Sequence, residues 1–233
     1  MPRIEGIPFL EHPEVRSFFE NEMLTLINES DRGAVLVAAS ILDQQMRHLF
    51  EAVATSELSK SKLSRILDYP GPLSSFSAKV EIAFLCRLID AQLFNSIQRF
   101  KKIRNEVAHS PQSFALKNHE KELFEIYDLA DGLPSLIRER TGNLILQSFV
   151  ENLSEKEATF GDRTIKLFEN ATEILEAIRD SSDAMDTFEE RLHRVELGFA
   201  IGIISGLIIF HRDKAREVLD QTKLISSLTL PRL

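Results

Sequence analysis

The feature that most constrains this chain is a run of fourteen uncharged residues near its C-terminal end, residues 197–210. Gly198, Gly202 and Gly206 recur there at every fourth position, so on a helix they form one nearly bare face. A neighbouring helix can approach such a face closely. At about 1.5 Å per residue the run spans only about 21 Å, short of the ~30 Å hydrocarbon core of a bilayer. We therefore expect a buried helix packed tightly on a neighbour, and no membrane span.

The rest of the chain has the composition and periodicity of a helical protein. Apolar residues make up 43% of the 233 positions and there are only nine glycines, too few turn-forming residues for a many-stranded fold. Helical spacing of apolar residues recurs over 13–27, 32–53, 74–89, 90–107 and 120–138. The long segment 32–53 is expected at the centre of the core. We predict an all-α fold: a multi-helix bundle with an additional C-terminal helical region.

The strongest candidate for a domain boundary is the stretch Thr141-Gly142-Asn143. It divides the chain into a helical domain, residues 1–144, and a C-terminal helical region, residues 145–233, which is acidic first and apolar later. Residues 147–190 contain twelve acidic and four basic side chains. This bias predicts a solvated amphipathic helix for that segment.

The charge distribution bears on nucleic-acid binding. A formal net charge of -8 disfavours broad, nonspecific binding to phosphate backbones. Residues 60–104 are an exception, with nine basic and three acidic side chains. Arg99, Lys101 and Lys102 in this window are the candidate nucleic-acid contacts. Direct DNA repression would need a basic helix that enters a groove, and only this window has the charge for it.

Other sequence signals indicate a cytoplasmic protein without a cofactor. The single Cys86 excludes an intramolecular disulfide and fits a reducing compartment, and the first nine residues lack a secretory signal. We find no phosphate-binding glycine loop and no His-Glu-x-x-His sequence, and the histidines are not spaced as metal ligands. We predict no metal and no small-molecule cofactor.

The segment with the most chemical potential is Arg104-Asn105-Glu106-Val107-Ala108-His109, at the end of the helix predicted over 90–107. The apolar positions 93, 97, 100 and 107 leave a gap that Arg104 would fill, so we expect its charge on the buried stripe. Asn105 and His109 lie one turn apart. Arg104 and His109 are about 140° apart around an ideal helix, so their convergence would need fraying at Pro111 or a second subunit.

Two interpretations of this segment remain open. In the first, the helix C-terminus favours the protonated form of His109, which moves protons while Arg104 stabilises phosphorane-like charge, giving RNA cleavage without a metal. In the second, Arg104 pairs with a carboxylate such as Glu81, Asn105 bonds to the backbone, and His109 caps the helix. The spacing alone does not separate them.

Three segments of the chain resemble the mannitol operon repressor family. They are residues 32–42, residues 71–83, which include the distinctive Gly71-Pro72-Leu73-Ser74, and residues 102–110. The resemblance covers roughly residues 15–115. It implies an all-helical, cytoplasmic bacterial regulator that modulates gene expression or a partner protein. It does not supply a helix that reads DNA.

The Arg-Asn-x-x-x-His pattern also resembles the HEPN superfamily, whose helical dimers often cleave RNA. This resemblance implies that Arg104, Asn105 and His109 are catalytic and meet their counterparts across a dimer interface. Some proteins of both groups keep the fold without catalysis, which leaves enzymatic activity open.

Our leading hypothesis is therefore a regulatory module that acts through helix-mediated protein contacts. We expect it to self-associate, as a homodimer, through the Arg104 helix or the Gly198 helix. The alternative is a metal-independent, toxin-like endoribonuclease with RNA as its substrate.

Overall fold

The computed structural model describes residues 11–109, 114–160 and 163–227 of the chain, and their fold is an all-α bundle, as predicted. Helices α1 to α10 are Pro13–Ser17, Met23–Asn28, Asp31–Val53, Lys60–Leu67, Phe76–Leu85, Ala91–His109, Glu120–Tyr127, Leu133–Ser154, Ala171–Asp180 and Ser182–Ser227. A π-helical turn, Phe18–Glu22, joins α1 to α2, and a 3-10 turn, Leu116–His119, precedes α7. A small antiparallel hairpin of β1, Glu157–Phe160, and β2, Arg163–Lys166, follows α8.

Several helices begin where a short polar side chain caps them. The Ser30 hydroxyl accepts a hydrogen bond from the Gly33 amide at 3.1 Å and starts α3. The Asp90 carboxylate accepts one from the Leu93 amide at 2.8 Å and starts α6. Each cap satisfies one of the amides that the first turn of a helix leaves unpaired.

Helices α3 and α10 form the centre of the core, and both were predicted to be buried. Their core side chains belong to one hydrophobic cluster. The members on these two helices include Val35, Leu42, Met46, Leu49, Leu197, Ile201, Ile204 and Ile208. By length and composition α10 could cross a membrane, but 78% of its most apolar window is buried inside the fold. It is the core helix of this bundle.

The glycine face of α10 packs against the N-terminal helices. A methyl group at Gly198 would lie 3.2 Å from Cγ of Met23. One at Gly202 would lie 2.7 Å from Cε1 of Phe18, and closer still to the ring of Phe19. The tight helix contact is therefore confirmed, within one chain. Within one chain this contact covers Gly198 and Gly202, so a second copy could reach α10 only through its other faces.

An ion pair also links α1 to α10. The Arg212 guanidinium donates hydrogen bonds of 2.9 and 2.7 Å to the two carboxylate oxygens of Glu14. This bidentate contact holds the pKa of the Glu14 carboxyl below its ordinary value. The N-terminal helix is thus fixed on α10 by apolar packing and by a charged contact.

The stretch predicted as a domain boundary lies inside a helix. Thr141 and Gly142 lie inside α8, and the Thr141 side chain is completely buried. The helix continues through Gly142 because packing, here close to Phe188, outweighs the weak helix propensity of one glycine. The regions 1–144 and 145–233 contribute to the same hydrophobic cluster, so they do not have separate cores.

Two further segments differ from the sequence prediction. The pattern over 120–138 forms two helices, α7 and α8, separated at Gly132, whose φ of 78° is readily accessible only to glycine. The acidic segment 147–190 is not one helix, because it contains the end of α8, the hairpin, α9 and the first turns of α10. Ile174 and Ile178 anchor α9 in the fold, which leaves its acidic face in water.

The glycine contact predicts opposite effects for two alanine substitutions in helices. Gly202→Ala should lower the free energy of unfolding by about 2 kcal/mol, because the phenyl rings of Phe18 and Phe19 must move. Gly142→Ala should raise it by about 0.5–1 kcal/mol, because the nearest side-chain atom, Cζ of Phe188, is 4.0 Å away. Urea unfolding followed by circular dichroism measures both. A stabilising Gly202→Ala would contradict the packing described here.

Candidate functional site

The Arg104 motif forms the last turns of α6, but its register differs from the prediction. The buried stripe of α6 is Leu93, Ile97, Phe100, Ile103 and Val107. Ile103 supplies the apolar contact in the gap, and Arg104 is exposed. The expectation that the Arg104 charge lies on the buried stripe is therefore wrong. In water the guanidinium keeps its hydration and needs no buried partner.

Arg104 and Asn105 are brought together at the surface. Nη1 of Arg104 donates a hydrogen bond of 3.3 Å to Oδ1 of Asn105, and both side chains are exposed. His109 is the last residue of α6, and its side chain lies outside the described part of the structure. The structure thus shows two of the three predicted catalytic residues side by side, open to a ligand or a second subunit.

The contacts of α6 with neighbouring charged side chains differ from those predicted. Glu81 faces Lys101, with its Oε1 3.6 Å from Nζ, and does not pair with Arg104. The last turn of α6 is capped from α3, where Nη1 of Arg32 donates a hydrogen bond of 2.8 Å to the carbonyl oxygen of Val107. Arg32 is therefore the arginine that holds the motif helix in place.

The three candidate nucleic-acid contacts do not form one accessible surface. Lys101 is only 9% exposed and turns toward Glu81. Arg99 donates a hydrogen bond of 2.8 Å to the carbonyl oxygen of Glu125 and is partly covered. Lys102 is the one of the three that is exposed. A single exposed lysine gives little of the phosphate contact that sequence-independent binding needs.

A buried charged cluster that the sequence analysis missed lies between α8 and α10. Glu196 is 1% exposed. Its Oε2 lies 3.2 Å from Nδ1 of His193, and its Oε1 lies 3.6 Å from Nε of Arg138. Arg138 also donates a hydrogen bond to Glu120. In the described part of the chain, Oε1 of Glu196 has no hydrogen-bond donor, so this carboxylate is incompletely satisfied.

The cluster borders an open cleft of about 780 Å³. His193 and Arg138 line it, with Asp186 and Glu190 on the same face of α10 as His193. The carboxylate of Glu196 contacts Nδ1 of His193 and so orients the imidazole ring. Nε2 is the ring nitrogen that does not take part in this contact. Among the described side chains, no group of three or more His, Cys, Asp or Glu could hold a metal ion.

The negative charge of Glu196 acts on a buried tyrosine, Tyr127. Burial, together with the negative charge of Glu196, raises the pKa of the Tyr127 hydroxyl well above its ordinary value. Both effects disfavour the phenolate. The spacing of His193 and Glu196 at i and i+3 was visible in the sequence, but nothing there indicated that Arg138 and Tyr127 would meet them.

An exposed apolar surface is the second feature that the sequence analysis missed. We define the α5–α10 patch as Phe84, Leu85, Phe94, Val218 and Leu219 with the two grooves that they line. The grooves have volumes of about 900 and 590 Å³ and share Arg87 and His211 in their linings. Leu85 is 75% exposed. Phe84 is 39% exposed and stacks on Phe94, with ring centroids 4.2 Å apart.

The motif geometry predicts that two arginines contribute differently to stability. Arg104→Ala should change the free energy of unfolding by less than about 0.5 kcal/mol, because the side chain is exposed. Arg32→Ala should lower it by about 1.5 kcal/mol, because it removes a charged hydrogen bond to the end of α6. Thermal unfolding of the two variants beside the parent protein measures this. A large loss in Arg104→Ala would mean that this side chain has a structural role.

The buried cluster predicts the behaviour of Tyr127 at high pH. The chain has two tyrosines and no tryptophan, so Tyr69→Phe leaves Tyr127 as the only phenol. With its pKa raised on folding, Tyr127 stabilises the fold fully below the ordinary tyrosine pKa, and this stability is lost as the pH rises toward the folded pKa. Phenolate absorbance in Tyr69→Phe should therefore appear only at pH values above that ordinary pKa.

The Glu196→Gln substitution in the Tyr69→Phe background is the control for this titration. Removing the negative charge should move phenolate formation at Tyr127 to lower pH, while burial keeps it above the ordinary range. An unchanged titration curve would show that the charge of Glu196 does not act on Tyr127.

Comparison with protein-family models, with curated proteins and with solved structures found no match to this chain. The resemblances to the mannitol operon repressor family and to the HEPN superfamily therefore remain predictions from the residues that carry them.

Proposed function

We propose that this chain is a cytoplasmic regulatory protein, similar in role to the mannitol operon repressor family, that modulates gene expression by binding another protein. The observation that carries this proposal is the α5–α10 patch. Its side chains lie together around two joined grooves, and several are at least one-third exposed. Contiguous apolar surface of this kind is typical of protein interaction sites.

Two basic side chains of residues 60–104 are directed inward and cannot contact DNA. Lys79 is buried and places its ammonium group 2.6 Å from Oδ1 of Asp43. Lys101 is also buried, beside Glu81. The exposed basic side chains Lys60, Lys62 and Arg65 lie on the eight-residue helix α4.

A metal-independent endoribonuclease is the alternative function, and one observation favours it. The exposed Arg104–Asn105 pair presents a guanidinium and an amide together at the end of α6, accessible to a phosphodiester. Arginine binds phosphate oxygens in a bidentate manner and can stabilise charge that develops during cleavage. In this alternative His109 would transfer the proton, and a second copy would complete the site.

One experiment separates the two functions. Cells that carry the gene receive the wild-type protein, the patch variant Leu85→Asp, or the motif variant Arg104→Ala/His109→Ala, and both transcript levels and RNA 5′ ends are measured. For a regulator, Leu85→Asp should reproduce the transcript changes of a gene deletion, because a charge in the patch prevents apolar docking. The motif variant should resemble the wild type.

The matched control is Leu175→Asp, which places the same charge at an exposed leucine on α9, away from the patch. It should leave transcript levels unchanged. If the motif variant instead abolishes specific RNA ends, and purified protein cleaves RNA in EDTA, the ribonuclease is the function. Transcript levels that are the same with and without the gene would contradict the regulatory proposal.

A further inference from the structure

We propose that the occupant of the α5–α10 patch is a second copy of this chain, docked about a two-fold axis that passes beside Arg87. This inference rests on the proposed function, because it names the partner of the same surface. Its evidence is the backbone of Arg87, the charges around the patch and the shape of the grooves.

The backbone of Arg87 is unusual. It has a φ of 58°, the one positive value at a non-glycine position in the described part of the chain. The Arg87 amide bonds to the Phe84 carbonyl at 3.0 Å and the Leu88 amide to the Ala83 carbonyl at 2.8 Å. These two bonds close α5 in a Schellman motif, whose left-handed residue is usually glycine. The backbone of an arginine is strained in this conformation. The strain therefore indicates that the Arg87 side chain has a role that glycine could not fill.

No such role of the Arg87 side chain is seen among the described residues of one chain. Arg87 is exposed, and among the ion pairs of the described residues none involves it. Arg87 lines both grooves, beside apolar side chains and, in one groove, beside Glu81 and Asp90. A partner that covers these grooves removes water from Arg87, so the charge then needs a carboxylate partner.

The same patch also presents two exposed carboxylates in long ion pairs, although Oδ1 of Asp90 also caps α6. Glu81 is 62% exposed and lies 3.6 Å from Lys101, and Asp90 is 58% exposed and lies 3.4 Å from His211. Both acids line the groove that contains Arg87. An acidic peptide would face these two carboxylates, and a basic peptide would face Arg87. A second copy turned by 180° satisfies both, because Arg87 of each copy meets an acid of the other.

The shape of the surface fits this arrangement. Leu85 projects beside two apolar grooves, so each copy has a side chain to insert and a groove to receive one. An interface of this type is isologous: the same residues occur on both sides of the axis. Cys86, the single cysteine of the chain, is exposed between Leu85 and Arg87 and therefore lies near the proposed axis.

The test compares association and stability in Arg87→Gly. Sedimentation over a concentration series should show a wild-type dimer, and Arg87→Gly should weaken association by at least about tenfold. The same substitution should raise the melting temperature of the dilute monomer by about 3 °C, because glycine adopts the left-handed conformation without strain. Arg87→Lys should retain much of the association. Leu85→Asp should abolish it, and Leu175→Asp should not change it.

Cys86 supplies an independent readout. A short bis-maleimide should join two copies of the wild-type protein through Cys86. It should not join copies of Cys86→Ser/Ser154→Cys, in which the cysteine lies at the end of α8. A chain that stays monomeric at all concentrations, or a dimer that Arg87→Gly and Leu85→Asp leave unchanged, would overturn the inference.

These outcomes are distinguishable from failure of the proposed function. A monomeric protein whose Leu85→Asp variant still alters transcript levels would be a regulator with a different partner on this patch. A dimer that Arg87→Gly disrupts, without any effect of the gene on transcripts, would leave the interface standing and contradict the regulatory role.

Discussion

The close contact between α10 and the N-terminal helices is the constraint on which the other contacts of this fold depend. At Gly202 the rings of Phe18 and Phe19 occupy the space that a side chain would need, so any other residue there would displace these rings. With that contact made, α10 also packs along α3, and Arg212 reaches Glu14. The uncharged run is therefore an interior element of the bundle, covered from two sides within one chain.

Much of this fold was predictable because local signals and packing agree. The apolar period of α3, the cap at Asp90 and the glycine spacing of α10 each indicate a structure that tertiary contacts then reinforce. Prediction failed where one local signal met stronger packing. Gly142 resembles a linker residue, but burial of Thr141 beside it keeps α8 continuous. The division at Gly132 depends on a left-handed backbone that the apolar pattern does not report.

Less of the candidate sites was predictable, for two physical reasons. Near the end of α6, a shift of one residue in the predicted buried face decides whether Ile103 or Arg104 is buried. The spacing of apolar residues does not determine the buried face that finely. The cluster around Glu196 also includes Arg138 and Tyr127 from other helices, which are distant in sequence and meet Glu196 only after folding. The α5–α10 patch was missed because helical spacing alone does not show that part of an apolar face stays exposed.

The length of α10 gives the molecule a mechanical property. His193, at the charged cleft, and His211, at the α5–α10 patch, belong to the same uninterrupted helix and are separated along it by about 27 Å. A continuous helix resists stretching along its axis because every turn is hydrogen-bonded to the next. A shift of α10 along its axis at the cleft would therefore also change the position of His211 at the patch.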